Sequence, residues 1–311
     1  MYKKCMRNYK QYNNEDIMHS YFRAIGFSKL KNKIEQNTLI KTALKEAVDR
    51  REIEVGTNTK VIQVFYNIGE GIGLSVVAEA DASGTIMVDN SFPYCIGKKT
   101  TIQPDIQIDG HTDTEAYSCV SDDYNLGITL IYKLQNVVDY VRSIWLNDYY
   151  KNPKKVKFGA LSLSGRIIYG VHLDHVSLPY EKQPISSKER KKLIAKARSG
   201  DLDALENLTI DDMDTFSLAS KRIKEEDLLT VIDTYFIPYG IDNEHYSILG
   251  TIKKIEEITN EFSDEMVYNL TVLCNDIYIN VVINSLDLEG IPLVGRRFKG
   301  IIWLQGQVQF S

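Results

Sequence analysis

Residues 246–310 form a succession of short segments in which apolar and polar side chains alternate. Alternation with a period of two is typical of a β-strand that buries one face. The pattern predicts five strands, with a two-residue hairpin turn at Asn275 and Asp276 between the second and third, and a break at Gly306 between the last two. The apolar positions of the five strands are, in order, Ile248, Gly250 and Ile252; Tyr268, Leu270, Val272 and Cys274; Ile277, Ile279, Val281 and Ile283; Phe298, Gly300, Ile302 and Leu304; and Val308 and Phe310.

A short helical turn is predicted at residues 285–290, between the third and fourth of these strands. Five strands with this connection match the layout of an OB-type barrel. Closure into a barrel would also remove exposed sheet edges. A plain antiparallel sandwich or sheet without a ligand-binding face fits the same segments, and the sequence leaves both arrangements open.

The composition is that of an ordinary globular protein. The length of 311 residues allows about two domains, and 43% apolar residues are enough for packed cores. A formal net charge of −5 offers no general attraction to nucleic-acid phosphates or anionic lipid. The sequence has no run of eighteen apolar residues, so no membrane partner is expected.

The cysteines point to a reducing compartment. Cys5, Cys95, Cys119 and Cys274 show neither C-x-x-C spacing nor a regular framework, and they are predicted to be reduced and mostly buried. Residues 1–17 are polar and lack the apolar core of a signal peptide. A cytoplasmic protein is therefore expected, with residues 1–17 as a disordered or misannotated extension.

Helical and strand patterns are mixed in the part of the chain before residue 180. Apolar residues with helical spacing predict helices at residues 38–51 and 126–146, the second being the longest amphipathic helix. Gly69, Gly71 and Gly73 predict a sharp turn or bulge, because no helix with phosphate-binding amides follows them. The order of elements lacks βαβ alternation and predicts an α+β fold. Strands and hairpins are predicted at residues 60–66, 73–80 with 85–90, and 158–163 with 166–171.

A boundary rich in polar residues and proline precedes a helical segment. The sequence predicts an α+β domain at residues 18–180, a helical linker at 181–226 and an OB-like β-barrel domain at 227–311. Ser187 is expected to cap the first linker helix, which ends at Gly200. Six basic residues in this helix are soon followed by six acidic residues, and local neutralisation is the simplest explanation of both clusters.

Several phrases of the sequence resemble one known family. They are FRAIGFS at residues 22–28, ALENLT at 204–209, IDTYFIPYG at 232–240, YSILG at 246–250 and VGRRFKGIIWLQG at 294–306. Together they resemble an uncharacterised family of Firmicutes proteins, the domain-of-unknown-function family numbered 3881. The resemblance implies a bacterial cytoplasmic protein and supports treating residues 1–17 as an addition. It implies no activity, cofactor or catalytic residue.

Two clusters contain candidate metal ligands. His111 and Asp113 lie in one predicted loop, and His172, Asp174 and His175 end a predicted strand. Imidazole and carboxylate groups suit zinc or iron, but short His/Asp clusters also arise by chance as solvated loop residues. The sequence contains no G-x-S-x-G motif, and none of its cysteines lies in a recognisable catalytic signature. The sequence therefore favours a non-catalytic protein without a cofactor.

Nucleic-acid binding through the predicted barrel is the main alternative function. An OB-type domain holds a single strand on its second and third strands, where the outward positions are predicted to be Asn269, Thr271, Tyr278 and Asn280. These positions include one aromatic residue and no cation. Residues 246–311 also contain five basic and eight acidic side chains, which is unfavourable for polyanion affinity.

The fourth predicted strand has a small cationic and aromatic patch. Arg297, Lys299 and Trp303 alternate on one face, next to Arg296, and these four residues are the predicted binding residues. Arg and Trp are common interface anchors, so the patch is expected to contact a protein partner or the acidic segment at residues 201–214. The preferred hypothesis is a cytoplasmic, non-catalytic protein that mediates protein or interdomain contacts. The alternatives are a single-strand nucleic-acid binder and, more distantly, a metal-dependent enzyme.

Overall fold

The computed structural model describes residues 20–30, 32–55, 59–103, 106–111, 116–123, 128–145, 154–168, 196, 203, 234–240 and 244–310. This part of the chain is mostly β-strand with a few short helices, a β-rich α+β structure. The helical elements are a 3-10 helix at Ser20–Ile25, α1 (Lys33–Glu46), α2 (Val137–Trp145) and a second 3-10 helix at Ser285–Asp287. The strands are β1 (Asp49–Glu54), β2 (Lys60–Gly69), β3 (Ile72–Ala80), β4 (Ile86–Cys95), β5 (Thr100–Gln103), β6 (Gln107–His111), β7 (Ala116–Asp123), β8 (Ile128–Leu134), β9 (Lys154–Ile168), β10 (Tyr235–Pro238), β11 (His245–Thr259), β12 (Met266–Cys274), β13 (Ile277–Asn284), β14 (Leu288–Glu289) and β15 (Arg297–Gln309).

The strands β1, β2, β3 and β4 form an antiparallel sheet in that order. The predicted hairpin between β3 and β4 is confirmed. Its turn is closed by Asp81, whose Oδ1 accepts hydrogen bonds from the backbone N–H groups of Ser83 at 2.8 Å and Thr85 at 3.0 Å. The turn predicted from three glycines is also confirmed, because β2 and β3 meet at Gly71, whose φ of 72° favours glycine.

A second, eleven-stranded sheet contains the other strands. β12 and β13 form the predicted hairpin, whose turn residues Asn275 and Asp276 have positive φ angles of 45° and 67°, as a tight hairpin turn requires. β11 pairs with β12 along one edge and with β15 along the other, and β9 lies between β13 and β15. The pairings therefore run from β11 through β12, β13, β9 and β15 back to β11.

Two strand predictions were wrong because a glycine was taken for a turn. The predicted hairpin at residues 158–171 is one continuous strand, β9, through residue 168. The predicted break at Gly306 lies inside β15, which continues to Gln309. A methyl group at Gly165 would collide with the Phe298 ring, and one at Gly306 with the Tyr132 ring. Both glycines make room for a neighbouring aromatic side chain.

Both helix predictions had wrong bounds. The predicted helix at residues 38–51 is α1, which begins five residues earlier, where Asn32 Oδ1 caps it by accepting from Glu35 N at 2.9 Å. Residues 49–51 instead belong to β1. The predicted helix at residues 126–146 begins as β8 and becomes helical only in α2. An apolar run that is buried on both faces is compatible with the residue spacing of a helix and with that of a strand. The spacing of apolar residues therefore did not distinguish β8 from α2.

The two sheets pack against each other at close range. A methyl group on Gly159 of β9 would collide with the carbonyl oxygen of Cys95 at the end of β4, so only glycine permits this approach. A buried chain of glutamines also links the sheets. The Nε2 atom of Gln135 donates to Cys95 O at 2.8 Å and to Gln305 Oε1 at 2.9 Å, and Gln63 Nε2 donates to Gln135 O at 2.5 Å. Because buried amides are costly unless hydrogen-bonded, this chain fixes how the sheets meet.

The predicted linker at residues 181–226 lies outside the described residues, apart from Lys196 and Asp203, which are helical. The predicted division into domains stays a prediction. β9, from the predicted first domain, pairs with β13 and β15 of the predicted second domain. Among the described helices, none combines the length and the apolar character that a membrane crossing requires.

Candidate functional site

Two of the four predicted binding residues are buried. Trp303 is 5% exposed, and its ring lies between Tyr21, with a centroid separation of 5.2 Å, and Phe92, at 6.4 Å. Its indole N–H donates to Glu244 Oε2 at 2.8 Å. Arg297 is 3% exposed. Neither side chain is presented to a macromolecular partner in this conformation.

The other two predicted binding residues are half-buried. The guanidinium of Arg296 donates to the carbonyl oxygen of Ile291 at 2.9 Å, and Lys299 lies on β15 opposite Leu249. A binding role for these residues stays a prediction. Their proposed acidic counterpart at residues 201–214 lies outside the described residues, except for Asp203.

The face predicted to bind a single strand is covered. Asn269, Thr271 and Asn280 lie on the face opposite the apolar residues of their strands, as predicted, but the expectation that this face is open to a ligand was wrong, since all three side chains are buried. The backbone N–H of Lys98 donates to Asn280 Oδ1 at 2.8 Å, while Asn280 Nδ2 donates to Asn269 Oδ1 at 3.0 Å. The segment after β4 therefore lies across these strands. Tyr278, also predicted outward, is half-buried.

The predicted metal ligands are mostly outside the described residues. His111 ends β6, whereas Asp113, His172, Asp174 and His175 are not among the residues that the structure describes. Within the described ranges, no three histidine, cysteine or acidic side chains come together as a metal ion would require. The described cysteines, Cys95, Cys119 and Cys274, are buried thiols that form no disulfide with one another, as predicted; Cys5 is outside the described residues.

An ionisable cluster that the sequence analysis missed surrounds Glu244. Its Oε1 accepts a hydrogen bond from Ser118 Oγ, and its Oε2 accepts the bond from Trp303. Lys133, on β8, is paired in register with Ser118 on β7 and is 5% exposed. The Nζ atom of Lys133 lies 5.1 Å from the centroid of the Phe92 ring. The cluster thus places a lysine, a serine and a carboxylate between β7, β8 and the start of β11.

Burial changes the acidity of this lysine. Loss of hydration lowers the pKa of Lys133 to about 8, against the opposing attraction of the Glu244 carboxylate. Both Glu244 oxygens already accept hydrogen bonds from other donors, so the carboxylate compensates the lysine only in part. The sequence contained a signal for this buried lysine, because Lys133 interrupts the apolar run from Leu130 to Leu134. The run was instead assigned to a helix.

The most exposed apolar strand segment is the start of β4. Ile86, Met87 and Val88 are exposed by 43%, 63% and 45%, although they are consecutive in one strand. β4 is a terminal strand of its sheet, paired with β3. Its second half, at residues 92–95, is buried against the larger sheet. The sequence signal was the lack of alternation at residues 86–88.

The opposite terminal strand, β1, has a different character. Five of its six residues are charged, and four of them, Asp49, Arg50, Arg51 and Glu52, form ion pairs, including Arg50 Nε with Glu52 Oε1 at 2.6 Å and Arg51 Nη1 with Asp139 of α2 at 2.5 Å. Charged side chains protect a sheet edge from pairing with other chains. The two edge strands of this sheet therefore differ. β1 is mostly charged, whereas the exposed residues of β4, Ile86, Met87 and Val88, carry no charge.

A family model described as "Domain of unknown function, E. rectale Gene description (DUF3881)" matches residues 22–306. The chain belongs to this family. The resemblance seen in the sequence is thereby confirmed, and the matched range of DUF3881 begins at the 3-10 helix and ends inside β15. It includes β4 and the Glu244 cluster. The description of DUF3881 assigns no function. No curated protein and no solved structure matches the chain.

Proposed function

We propose that this protein is a non-catalytic, cytoplasmic bacterial protein that binds a partner protein by adding a strand of the partner to the edge of β4. The observation that carries the proposal is the exposure of Ile86, Met87 and Val88 in succession on a terminal strand. An exposed, uncharged edge strand is a template for pairing with another chain, and natural proteins normally protect such edges. Strand addition uses backbone hydrogen bonds for affinity and alternate side chains for specificity.

The charge around β4 selects the kind of partner. Residues 72–95, which form β3, the turn and β4, contain the acidic residues Glu79, Asp81 and Asp89 and no lysine or arginine. Lys60 on the adjoining β2 is already paired with Glu52 at 3.1 Å. An extended segment that alternates apolar and basic residues complements this edge. A second copy of the same edge would add acidic residues to an acidic hairpin, so self-association through β4 is disfavoured.

We also propose that the ring of strand pairings is a small OB-type barrel in which β9 supplies the fifth strand. The support is that β11 pairs with both β12 and β15, while β9 pairs with both β13 and β15. Such a barrel would serve as the rigid support for the β4 sheet. Nucleic-acid binding on its second and third strands is disfavoured because Asn269, Thr271 and Asn280 are buried.

Fluorescence anisotropy with two labelled synthetic peptides tests the partner-binding proposal. One peptide alternates lysine with valine, and the other alternates glutamate with valine at the same length. The full-length protein is expected to bind the lysine peptide at least about tenfold more tightly, because the edge is acidic and apolar. Equal affinity for both peptides, or no binding of either at low salt, would contradict the proposal.

The matched variants are Met87→Lys and Ile291→Lys. Both place a lysine at an exposed apolar residue, one on β4 and one in the loop before β15. Met87→Lys is expected to reduce affinity for the lysine peptide about tenfold, since a charge on the edge repels the partner strand. Ile291→Lys is expected to leave it unchanged. Equal effects of the two substitutions would show that peptide binding depends on net charge and would overturn the assignment to β4.

A further inference from the structure

The start of β9 carries two lysines on one face of the larger sheet. Lys155 is exposed and Lys157 is half-buried, and because they are two residues apart their side chains share a face of the strand. Thr100 of β5 and Gln307 of β15 are the register partners of Lys157. Gln309 of β15 is a register partner of Lys155. The described side chains of these two rows are polar and none is acidic, so no strand neighbour neutralises the lysines.

The pairing of β13 with β9 places an aromatic ring on the same face. Asn280 and Gly159 are register partners in these parallel strands. Tyr278 and Lys157 each lie two residues before that pair, so the half-buried Tyr278 side chain lies on the face that carries the lysines. This face of the sheet thus combines positive charge with a partly exposed phenol ring.

The segment between β4 and β5 adds a third lysine beside this ring. Lys99 is exposed, and its Nζ lies 5.8 Å from the centroid of the Tyr278 ring. Its neighbour Lys98 is instead neutralised by two glutamates, both within 3.3 Å of its Nζ. Within the described part of the chain, Lys99, Lys155 and Lys157 form no ion pair. We name these three lysines and Tyr278 the basic face.

The basic face offers side chains rather than a free sheet edge. β9 pairs with β5 on one side and with β15 on the other, so an added strand would find no open edge of β9. The outer side of β15 is bonded to Asn136, whose Nδ2 donates to Val308 O at 2.8 Å. The described side chains of the two rows also include no exposed aliphatic group, whereas protein interfaces have an apolar core. These features favour an anionic polymer over a protein strand as the ligand.

We propose that the basic face binds single-stranded nucleic acid, with the lysines on phosphates and Tyr278 as a stacking surface for a base. Lysine, threonine and glutamine side chains commonly contact phosphate and sugar oxygens. Proteins that bind single strands without sequence preference combine a positive surface with aromatic side chains. Lys99, which lies over the ring, moves to a phosphate when a base stacks there. The charged contacts are to the backbone, so the binding is independent of base sequence.

The location of the lysines explains why the charges of the predicted barrel did not reveal them. The sequence of residues 246–311 is acidic on balance, but Lys155 and Lys157 come from β9 and Lys99 from the segment before β5. The formal net charge of −5 still repels a polyanion, so binding is expected at low salt and falls steeply as salt rises. This inference is independent of the proposed partner binding at β4.

Fluorescence anisotropy of the full-length protein with a labelled oligothymidylate of about 15 nucleotides tests the proposal. Each phosphate contact on a single strand contributes about −0.7 to the slope of log affinity against log salt concentration. Three lysines therefore predict a slope of about −2. A labelled poly-glutamate peptide of the same length is expected to bind at least about tenfold more weakly, because it cannot stack on Tyr278. No binding of the oligonucleotide at low salt, or equal affinity for the peptide, would overturn the proposal.

Two double variants with the same change in net charge locate the site. The substitutions Lys155→Gln and Lys157→Gln together are expected to bring the slope to about −0.7. The substitutions Lys41→Gln and Lys45→Gln change two exposed lysines of α1, and the slope is expected to stay at about −2. Equal slopes for the two double variants would show that binding follows net charge and would contradict the assignment to the basic face.

Substitution of the tyrosine separates stacking from charge. Tyr278→Ala is expected to weaken oligonucleotide binding about tenfold with the slope unchanged, whereas Tyr278→Phe keeps the ring and the affinity. Unchanged affinity for Tyr278→Ala, in protein shown by circular dichroism to be folded, would contradict the stacking role.

Discussion

The guanidinium of Arg23 and the carboxylate of Asp287 form a two-bond ion pair across 264 residues of sequence, with Nε to Oδ2 and Nη2 to Oδ1 both at 2.7 Å. The pair fastens the 3-10 helix at Ser20–Ile25 to the short helix after β13. Asn260 Nδ2 and Asn284 Nδ2 strengthen this attachment, since they donate to the carbonyl oxygens of Ile25 at 2.8 Å and Arg23 at 3.1 Å. The phrase FRAIGFS is thus a docking segment for the larger sheet.

We expect a double-mutant cycle of Arg23→Ala and Asp287→Ala to give a coupling free energy of about 1 kcal/mol in urea unfolding. Exposed ion pairs contribute less, but a bidentate pair between a guanidinium and a mostly buried carboxylate is at the upper end of that range. The local pair Arg50–Glu52 is the control, with an expected coupling of about 0.3 kcal/mol. Equal couplings would mean that the Arg23 pair does not fasten the helix.

Replacing Asn280 with alanine is expected to destabilise the protein by about 2–4 kcal/mol. The substitution leaves the N–H of Lys98 without its acceptor and removes the bonds from Asn280 to Asn269 and Thr271 in a buried place. Tyr278→Phe, two residues earlier on the half-exposed side of β13, serves as the control and should change stability by less than about 0.5 kcal/mol. Denaturant unfolding measures both, and a neutral Asn280→Ala would show that this face is open to solvent.

Gly159→Ala tests the close approach of the two sheets. The added methyl group collides with the Cys95 carbonyl, so we expect a loss of about 3 kcal/mol or more, or failure to fold. Gly84→Ala is the matched control in the turn before β4. Its φ of 82° makes the substitution strained, but no atom lies within 4 Å, and a cost of about 1 kcal/mol is expected. A similar cost for both variants, measured by thermal unfolding, would argue against the packing of β4 on β9.

Lys133→Met is expected to stabilise the folded state at pH 7 by about 1–3 kcal/mol, because an apolar side chain of similar length replaces a buried, partly compensated charge. The pH dependence of the free energy of unfolding provides a second test. The pKa of Lys133 is lowered to about 8, so between pH 8 and 10.5 the unfolded chain holds a proton that the folded chain has released.

The free energy of unfolding of the natural protein should therefore rise across this pH window relative to that of Lys133→Met. Comparing the two proteins at each pH removes the contributions of other groups, such as Tyr246, whose pKa is raised to about 12 by burial. Urea titrations at several pH values measure the difference. Parallel pH profiles for the two proteins would contradict the lowered pKa of Lys133.

Strand positions were the most predictable part of the fold. The hairpin turns at residues 81–85 and 275–276 were found because Asp, Asn and Gly favour turn conformations at particular places. Gly165 and Gly306 were assigned to turns, but each makes room for a neighbouring aromatic ring. The sequence alone does not distinguish a glycine with this role from a glycine in a turn. The pairing of β9 with β13 and β15 joins residues far apart in sequence, and local patterns contain no information about it.

The site was less predictable than the fold. Alternation correctly separated the two faces of β12 and β13, but it could not show that the segment after β4 covers the outer face and buries Asn269 and Asn280. Trp303 was predicted to anchor an interface, but the structure buries it within the fold, and its hydrogen-bond partner Glu244 gave no signal because it lies in a polar turn far from Trp303 in sequence. The exposed apolar segment of β4 was visible in the sequence, but its place at a sheet edge depends on the topology.

The most direct measurement for the central claim is backbone amide hydrogen exchange of the full-length protein with and without the alternating lysine–valine peptide. Strand addition forms hydrogen bonds to the outward-facing amides of β4, so we predict slower exchange at residues 86–88 and no change in β1. Unchanged exchange at residues 86–88, with peptide bound at a saturating concentration, would contradict the proposal that the edge of β4 accepts a partner strand.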